Sequence, residues 1–386
     1  MMISDAELAR FGPFRLVVIQ PTPFCNIDCD YCYLPGRSQR QSMDLALLEP
    51  LFKNLFSSRF LGKHFTVCWH AGEPLTLPLE FYQKAFAQIN ALEQQHNSRQ
   101  CYVTHAIQTN GTLITPDWCD FFKSEQISVG VSLDGPAFLH DAHRKTRTGL
   151  GTHQATLRGI KHLQNNQINF HIIAVLTKDA LAYPDEIFEF FQQEGIHNVG
   201  FNIEEIEGSN QESSLSQNDT RSQYRGFMAR FWQLTKATKG TFKVREFDRV
   251  SEHLYTDKAM GRNQLCTPFA MVNVDVNGNF ATYSPELLGM TSSDYGRFIL
   301  GNVCTDSFEA VCQTETFQRI YQDIQAGVTA CRQTCDYFPV CGGGAPSNKY
   351  WENGSFASTE TLHCLYTQKI LTDLILTDVE QCLGLA

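Results

Sequence analysis

RLVVIQPTPFCNIDCDYC, residues 15–32, decides the fold. Its first six residues form an apolar run of strand length, rich in β-branched side chains. Its end sets Cys25, Cys29 and Cys32 at C-x3-C-x2-C spacing. Thiols this close, at two unequal gaps, suit three irons of a cubane cluster better than they suit a disulfide, and they leave the fourth iron open to a small molecule. Zinc is the structural alternative, but it prefers four closed ligands, and no nearby fourth Cys or His is offered.

Outward from this stretch, apolar runs recur at 15–20, 65–70, 103–109, 128–134, 170–177 and 198–203. Segments of helical periodicity separate them, near 43–59, 78–95, 116–125, 153–166 and 184–193. Thr115-Pro116 reads as an N-cap followed by a first-turn proline, Pro184-Asp185-Glu186 as an acidic first turn, and Gly195 as a stop. Strands alternating with helices predict βαβ units and a parallel sheet, an α/β fold. Ligands of such sheets bind at the carboxyl ends of the strands. The cysteine triplet lies just past the end of the first strand.

The polar stretch 208–222 predicts a loop or linker, and a mainly helical bridge follows to about 260. Ala270–Tyr283 reads as a β-hairpin turning at Asn277-Gly278, a pair favoured in two-residue type I′ turns. A closing helix is expected near 364–383. The Cys-, Gly- and Pro-rich remainder is expected to have little core of its own and to need a staple. Cys331, Cys335, Cys341 and Cys364 offer four thiols, the complement of a closed iron–sulfur cluster or of structural zinc. Cys68, Cys101, Cys119 and Cys382 read as buried thiols. The domain plan is therefore 1–207, 208–265 and 266–386.

Composition sets the outer bounds. The 386-residue chain is 42% hydrophobic and 19% charged, with a net charge of −10 and no basic stripe, which argues against a nucleic-acid partner. No apolar run approaches the length needed to cross a bilayer, and the first residues lack a signal-peptide core, so the cytoplasm is expected and no membrane partner. Fourteen cysteines in a reducing compartment point to metal ligands and buried thiols.

CNIDCDYC, with an aromatic next to its third cysteine, resembles the signature of the radical S-adenosylmethionine (radical SAM) enzymes. The resemblance implies a partial (β/α)6 TIM-type barrel. It also implies a [4Fe–4S] cluster on Cys25, Cys29 and Cys32 whose open iron binds SAM, with SAM cleaved by one electron to a 5′-deoxyadenosyl radical. Trp69-His70-Ala71-Gly72-Glu73-Pro74 is similar to the family's GGEP loop, Ala71 replacing the first glycine, which implies Gly72 and Glu73 as cofactor contacts. By the same resemblance Tyr31 lies by the adenine, Ser132 and Arg144 contact ribose and carboxylate, and Glu205 contacts adenosine mostly through backbone. Singly, Gly72 and Gly135 read equally as turn glycines and Arg144 as a solvated charge. Together, such residues sit at the carboxyl ends of successive strands.

The hairpin and the last cysteines resemble a SPASM domain, which implies an auxiliary [4Fe–4S] cluster on Cys331, Cys335, Cys341 and Cys364. SPASM domains with two auxiliary clusters carry a cysteine where this chain has Tyr283 and another within its Gly-Gly-Gly-Ala345 run. Cys266 survives, and Cys304 and Cys312 are possible substitutes, so the second auxiliary cluster stays open. Anaerobic sulfatase maturases place an aspartate base where Ser284 stands. The closer likeness is to the GRRM-system, cyclophane-forming maturases, through CYLPGRS (32–38), WHAGEPLTLP (69–78) and FNIEEIEG (201–208).

The resemblance implies an enzyme that crosslinks an aromatic side chain to the β-carbon of a nearby residue in a ribosomally made precursor peptide, served by a reductant such as flavodoxin or ferredoxin. Sulfatase-type oxidation and thioether formation are the enzymatic alternatives, and a non-enzymatic iron–sulfur or zinc protein is the other class. Asp134 and Glu286 are the candidate bases. With about a dozen residues before the first strand, no leader-binding domain is expected at the N-terminus, and the linker or a strand edge is left to capture the leader.

Overall fold

The six apolar runs become six parallel strands lying side by side in chain order: β1 (Leu16–Ile19), β2 (His64–Trp69), β3 (Tyr102–Thr109), β4 (Ser128–Ser132), β5 (Phe170–Leu176) and β6 (Asn198–Ile203). Their ladders run from Leu16↔Thr66 to Ile19↔Trp69 and from Ala106↔Ser128 to Thr109↔Val131, for example. The structure is a computed structural model and describes residues 3–217, 219–255 and 263–384.

The intervening helices are α1 (Leu48–Ser57), α2 (Leu79–His96), α3 (Pro116–Ser124), α4 (His153–Asn165) and α5 (Pro184–Gln193). Each is amphipathic for a legible reason. In α1 the buried positions are Leu48, Leu51, Phe52, Leu55 and Phe56, the i, i+3, i+4, i+7, i+8 stripe that faces a sheet. Burying each such side chain contributes roughly 1.5–3 kcal/mol. The Thr115 side chain accepts from the Trp118 amide ahead of Pro116, so α3 starts where its capping signal puts it. Gly195 takes a left-handed φ of 65° just after α5.

At the far edge of β1 the sheet continues with β7 (Met271–Val274), parallel to it from Leu16↔Met271 to Ile19↔Val274. β8 (Asn279–Thr282) and β9 (Gly301–Asn302) follow antiparallel. The two-residue strand Lys243–Val244 flanks β6 at the opposite edge. The described residues thus form one open, mixed ten-stranded sheet. The hairpin and the stretch after it are built onto the core of the first half. Phe269, Val272, Phe280 and Phe308 share one apolar core with Val17, Phe65 and Val67, and Phe269 stacks on Phe60 at 5.0 Å and 9°. An unpaired β1 edge would expose its amides and carbonyls, and the hairpin satisfies them.

Three expectations change. The hairpin turn is not a two-residue type I′ turn. The Gly278 amide donates to the Asp275 carbonyl at 3.0 Å, and Gly278 (φ 77°), not Asn277, carries the positive φ, so a three-residue loop with a bulge at the glycine joins the strands. The 208–222 stretch is tied down: the Ser214 amide donates to the Glu204 carboxylate at 2.7 Å, Leu215 is buried, and α6 (Thr220–Ala237) already begins at Thr220. Cys101 and Cys119 are buried as read, whereas Cys68 is half-buried and Cys382 exposed.

The helical bridge continues with α7 (Arg245–Tyr255), and its expected end near 260 lies outside the described residues. The later helices that matter are α8 (Glu315–Thr334), α9 (Pro346–Asn353) and α10 (Leu371–Cys382). A six-residue π-helical stretch, Leu365–Ile370, separates Cys364 from α10, so the closing helix is wound more loosely next to that thiol. Among the described residues no helix is long and apolar enough to cross a membrane.

Candidate functional site

Cys25, Cys29 and Cys32 line one cavity of about 120 Å³ together with His70, Gly72, Glu73, Asn110, Ser132 and Arg144. These residues lie at or just beyond the carboxyl ends of β1 to β4, apart from Arg144, whose strand comes later. The cysteine loop is held by pairing: Ile27–Cys29 runs antiparallel to Arg144–Thr146, with Cys29 opposite Arg144. Arg37 donates to the Cys29 carbonyl at 3.1 Å and pairs with Asp28 at 2.8 Å. Arg147 donates to the Cys25 carbonyl at 2.8 Å. Arg37 belongs to the CYLPGRS stretch without having been singled out there, and Arg147 carries no sequence signal beyond its charge.

Two polar groups face the sulfurs directly. Asn110 Nδ2 lies 3.9 Å from Cys25 Sγ, and Arg144 Nη1 lies 4.0 Å from Cys29 Sγ. Burial pushes the Cys25 and Cys29 thiols up to about 12. A bound cation reverses that preference by holding the thiolate.

The loop after β2 comes unusually close to the cysteine segment. Ala71 (φ 70°) and Gly72 (φ 71°) are both left-handed, and a Cβ on Gly72 would sit 2.3 Å from the Thr22 carbonyl oxygen. Only glycine fits there. Glu73, 1% exposed, is spent on the protein: it accepts from the Leu75 amide at 3.0 Å, Thr109 Oγ1 at 2.7 Å and the Asn110 amide at 2.7 Å. It thereby ties the β2 loop to the end of β3. Burial pushes its carboxyl up to about 7 despite those donors. Ser132 Oγ accepts from Gln108 Nε2 at 3.0 Å at the cavity wall.

Asp134 is excluded as a free base. Its carboxylate accepts from Arg144 Nε at 2.8 Å, Arg144 Nη2 at 3.0 Å, the Val175 amide at 2.9 Å and the Tyr31 hydroxyl at 2.5 Å. Burial opposes its charge, but Arg144 outweighs that and holds the carboxyl below its usual range. Asp134 thus takes the Nε–Nη2 edge of the Arg144 guanidinium and leaves Nη1 toward Cys29. Tyr31 stacks its ring 5.4 Å from that guanidinium and is not among the cavity-lining residues.

Glu205 does not line the cavity either. It pairs with His363 Nδ1 at 2.7 Å, next to Cys364, and Glu207 binds the Ser347 hydroxyl, so the end of β6 is fastened to the C-terminal region. Glu286, hydrogen-bonded by Ser284, belongs to the same group of carboxylates, and burial pushes it up to about 8. This group faces Tyr33, whose hydroxyl lies 3.3 Å from His70 Nε2 at the cavity wall. Sequence gave no warning of that link.

The later cysteines also gather. Cys341 Sγ accepts from the Gly344 amide at 3.1 Å and feels Cys331 and Cys335; Cys364 feels Cys341 and Cys335. Among the described residues no three His, Cys, Asp or Glu side chains are placed to hold one metal ion. Four thiols are the complement of a closed cubane, in which each thiolate binds its own iron, as they are of structural zinc.

The three thiols left for a second auxiliary cluster differ in their settings, and Cys266 also lines a cavity of about 520 Å³ with Asn263, Tyr321 and Arg332. Cys304 is exposed, and Cys312 is fully buried with its thiol on the Phe308 carbonyl at 3.2 Å. Cys266 sits in an apolar group with Tyr283, Leu287, Phe298, Ile320, Ile324 and Phe356. The void left on the Tyr283 side of that group is about 10 Å³, room for no more than a water molecule.

Comparison with known proteins adds the following. The Radical SAM superfamily matches residues 19–191. "Uncharacterized protein sll1766" of Synechocystis sp. is 53% identical over 384 residues, covering 100% of this chain and 96% of its own. A serine-type anaerobic sulfatase-maturating enzyme of Bacteroides thetaiotaomicron is 26% identical, covering 89% and 86%. Among solved structures, "Native anSMEcpe with bound AdoMet and Cp18Cys peptide" superposes with a TM-score of 0.77 at 21% identity over 96% of this chain and 99% of that one. Streptococcus suis SuiB bound to precursor peptide SuiA gives 0.64 at 14% identity over 93% and 77%.

Proposed function

For a chain that belongs to the radical SAM superfamily, we propose a peptide-modifying oxidoreductase whose substrate is a ribosomally made peptide. The observation that carries it is the single cavity shared by Cys25, Cys29, Cys32, Gly72, Ser132 and Arg144. When bound there, a [4Fe–4S] cluster and SAM supply a carbon radical that removes one hydrogen atom from the substrate.

The three thiolates hold the cluster, and the close backbone approach at Gly72 shapes the wall for the cofactor's amino acid end. Arg144, braced by Asp134 along its Nε–Nη2 edge, presents Nη1 to a carboxylate. Cys331, Cys335, Cys341 and Cys364 hold an auxiliary cluster. With one hydrogen removed as an atom, a second would leave as a proton to a base, and an auxiliary cluster held by Cys331, Cys335, Cys341 and Cys364 would supply a place for the remaining electron. Glu286 remains the candidate base: burial raises its carboxyl to about 8, so its ionised form would hold an accepted proton firmly. A flavodoxin or ferredoxin delivers the starting electron.

Two finer readings differ in what the substrate radical becomes. The sulfatase-maturating relatives support oxidation of a serine or cysteine to an aldehyde. Ser284, standing where the aspartate base of such enzymes is expected, and the cyclophane-type motifs at 32–38, 69–78 and 201–208 support closure onto an aromatic ring.

The test is anaerobic reconstitution with dithionite, SAM and two peptides, one bearing a sulfatase-type Cys/Ser motif and one an aromatic three-residue motif. 5′-Deoxyadenosine with an aldehyde that can be trapped on the first peptide supports the sulfatase-type reading. A product lighter by two hydrogens, with no aldehyde and no thiol consumed, supports the crosslink. No 5′-deoxyadenosine under any condition overturns the proposal.

A further inference from the structure

Lys349, on α9, is 2% exposed, and among the described residues it forms no ion pair. Its ammonium donates to Cys331 Sγ at 3.4 Å. It also acts electrostatically on Cys266. A buried ammonium facing a neutral thiol alone would be desolvated without compensation, which is costly.

The surroundings are shaped to admit it. Gly327 and Cys331 lie one turn apart on the same face of α8. A Cβ on Gly327 would sit 3.1 Å from Lys349 Nζ and 2.3 Å from the Phe356 carbonyl oxygen. The missing side chain lets the ammonium pass over the helix to the sulfur.

Two other cations near these thiols are differently placed. Arg249 feels Cys341 but also the buried Glu246, and Lys369 feels Cys364 and Cys335 but pairs with Glu360. Lys369 is paired with a carboxylate, and Arg249 donates to the Thr367 carbonyl at 2.8 Å with Glu246 acting on it from nearby. Lys349 is left to answer the charge of the sulfur site itself.

We propose that Lys349 is the built-in countercharge of the auxiliary cluster on Cys331, Cys335, Cys341 and Cys364, and that it raises the readiness of that cluster to accept an electron. This rests on the reading that those four cysteines hold an iron–sulfur cluster. Adding an electron to a cluster makes it more negative, and a fixed cation close to a ligand sulfur stabilises the reduced form. Cluster potentials respond to local charge and to hydrogen bonds on the sulfurs.

The experiment compares reconstituted wild type with Lys349→Met and Lys349→Arg by iron content and by potentiometric titration followed by electron paramagnetic resonance. Lys53→Met, which removes an exposed cation paired with Glu49 on α1, serves as the control. The expected result is an auxiliary signal in Lys349→Met whose reduction equilibrium is at least tenfold less favourable, about 59 mV more negative for one electron. Lys349→Arg returns it toward wild type, while the auxiliary signal in Lys53→Met and the signal of the Cys25–Cys32 cluster stay in place. Loss of about four irons from Lys349→Met but not from Lys349→Arg supports the same role.

An unmoved auxiliary potential in Lys349→Met overturns the proposal, as do Met and Arg variants that behave alike. Wild-type protein holding only about four irons removes the auxiliary cluster itself. That outcome is distinct from failure of the Lys349 role, and it leaves the first cluster and its chemistry standing.

Discussion

Replacing Asp134 by Asn is expected to cost more than any exposed charge change in this chain. Asp134 and Arg144 are 4% and 6% exposed, and the carboxylate accepts four hydrogen bonds, two from the Arg144 fork. Asn keeps the shape but removes the charge and turns one acceptor into a donor facing donors. Removing one partner of a buried ion pair strands the other, at about 3–5 kcal/mol. At about 2.1 cal/mol/K for each of 386 residues, that loss lowers the thermal midpoint by about 4–6 °C.

The assay is calorimetry of the cluster-free protein, with Asp30→Asn as the control. Asp30 pairs with His143 at 3.0 Å in a partly exposed setting, and its loss is expected to move the midpoint by about 1 °C or less. Because the Asp134 carboxyl is held below its usual range, its contribution is present above the unfolded-state value and fades as the pH falls through the folded-state value. The variant should therefore lose part of the acid limb of the stability profile. A midpoint within 1 °C of wild type, or an unchanged acid limb, refutes the buried-pair argument.

Replacing Cys25, Cys29 and Cys32 together by Ala should lower the iron content by about four per chain and abolish 5′-deoxyadenosine formation, leaving the auxiliary signal visible by electron paramagnetic resonance. Wild type should hold about eight irons, and Cys266→Ala should hold the same number, since Cys331, Cys335, Cys341 and Cys364 already supply the four thiols of one auxiliary cluster. Gly72→Ala should weaken SAM binding, measured by equilibrium dialysis, because its Cβ meets the Thr22 carbonyl oxygen at 2.3 Å in a left-handed backbone. For Glu73, burial lifts the folded-state value to about 7 from 4.5, so its linked stability declines as pH rises across that interval. Glu73→Gln should flatten that slope in urea titrations run at several pH values.

Much of the fold was legible. Strand length, β-branching and the caps at Thr115, Pro184 and Gly195 are local properties, and local sequence determines them. The cysteine triplet was legible for the same reason: its ligands lie within eight residues, close enough for spacing alone to define a site. Cys331, Cys335, Cys341 and Cys364 were legible as a set of four.

What the sequence could not determine depends on groups far apart in the chain. Phe269 and Phe280 read as part of a separate module, yet they complete the core of the first because a hairpin 250 residues later pairs with the free edge of β1. Asp134 read as a candidate base until Arg144, Tyr31 and Val175 claimed its lone pairs. Lys349 read as one more lysine. Charge and hydrogen bonding depend on separation in space, and a sequence records separation only along the chain. RLVVIQPTPFCNIDCDYC determined by itself where a cluster-binding loop would stand. Which residues would brace that loop, and which cation would face the second thiol set, only the packed chain decided.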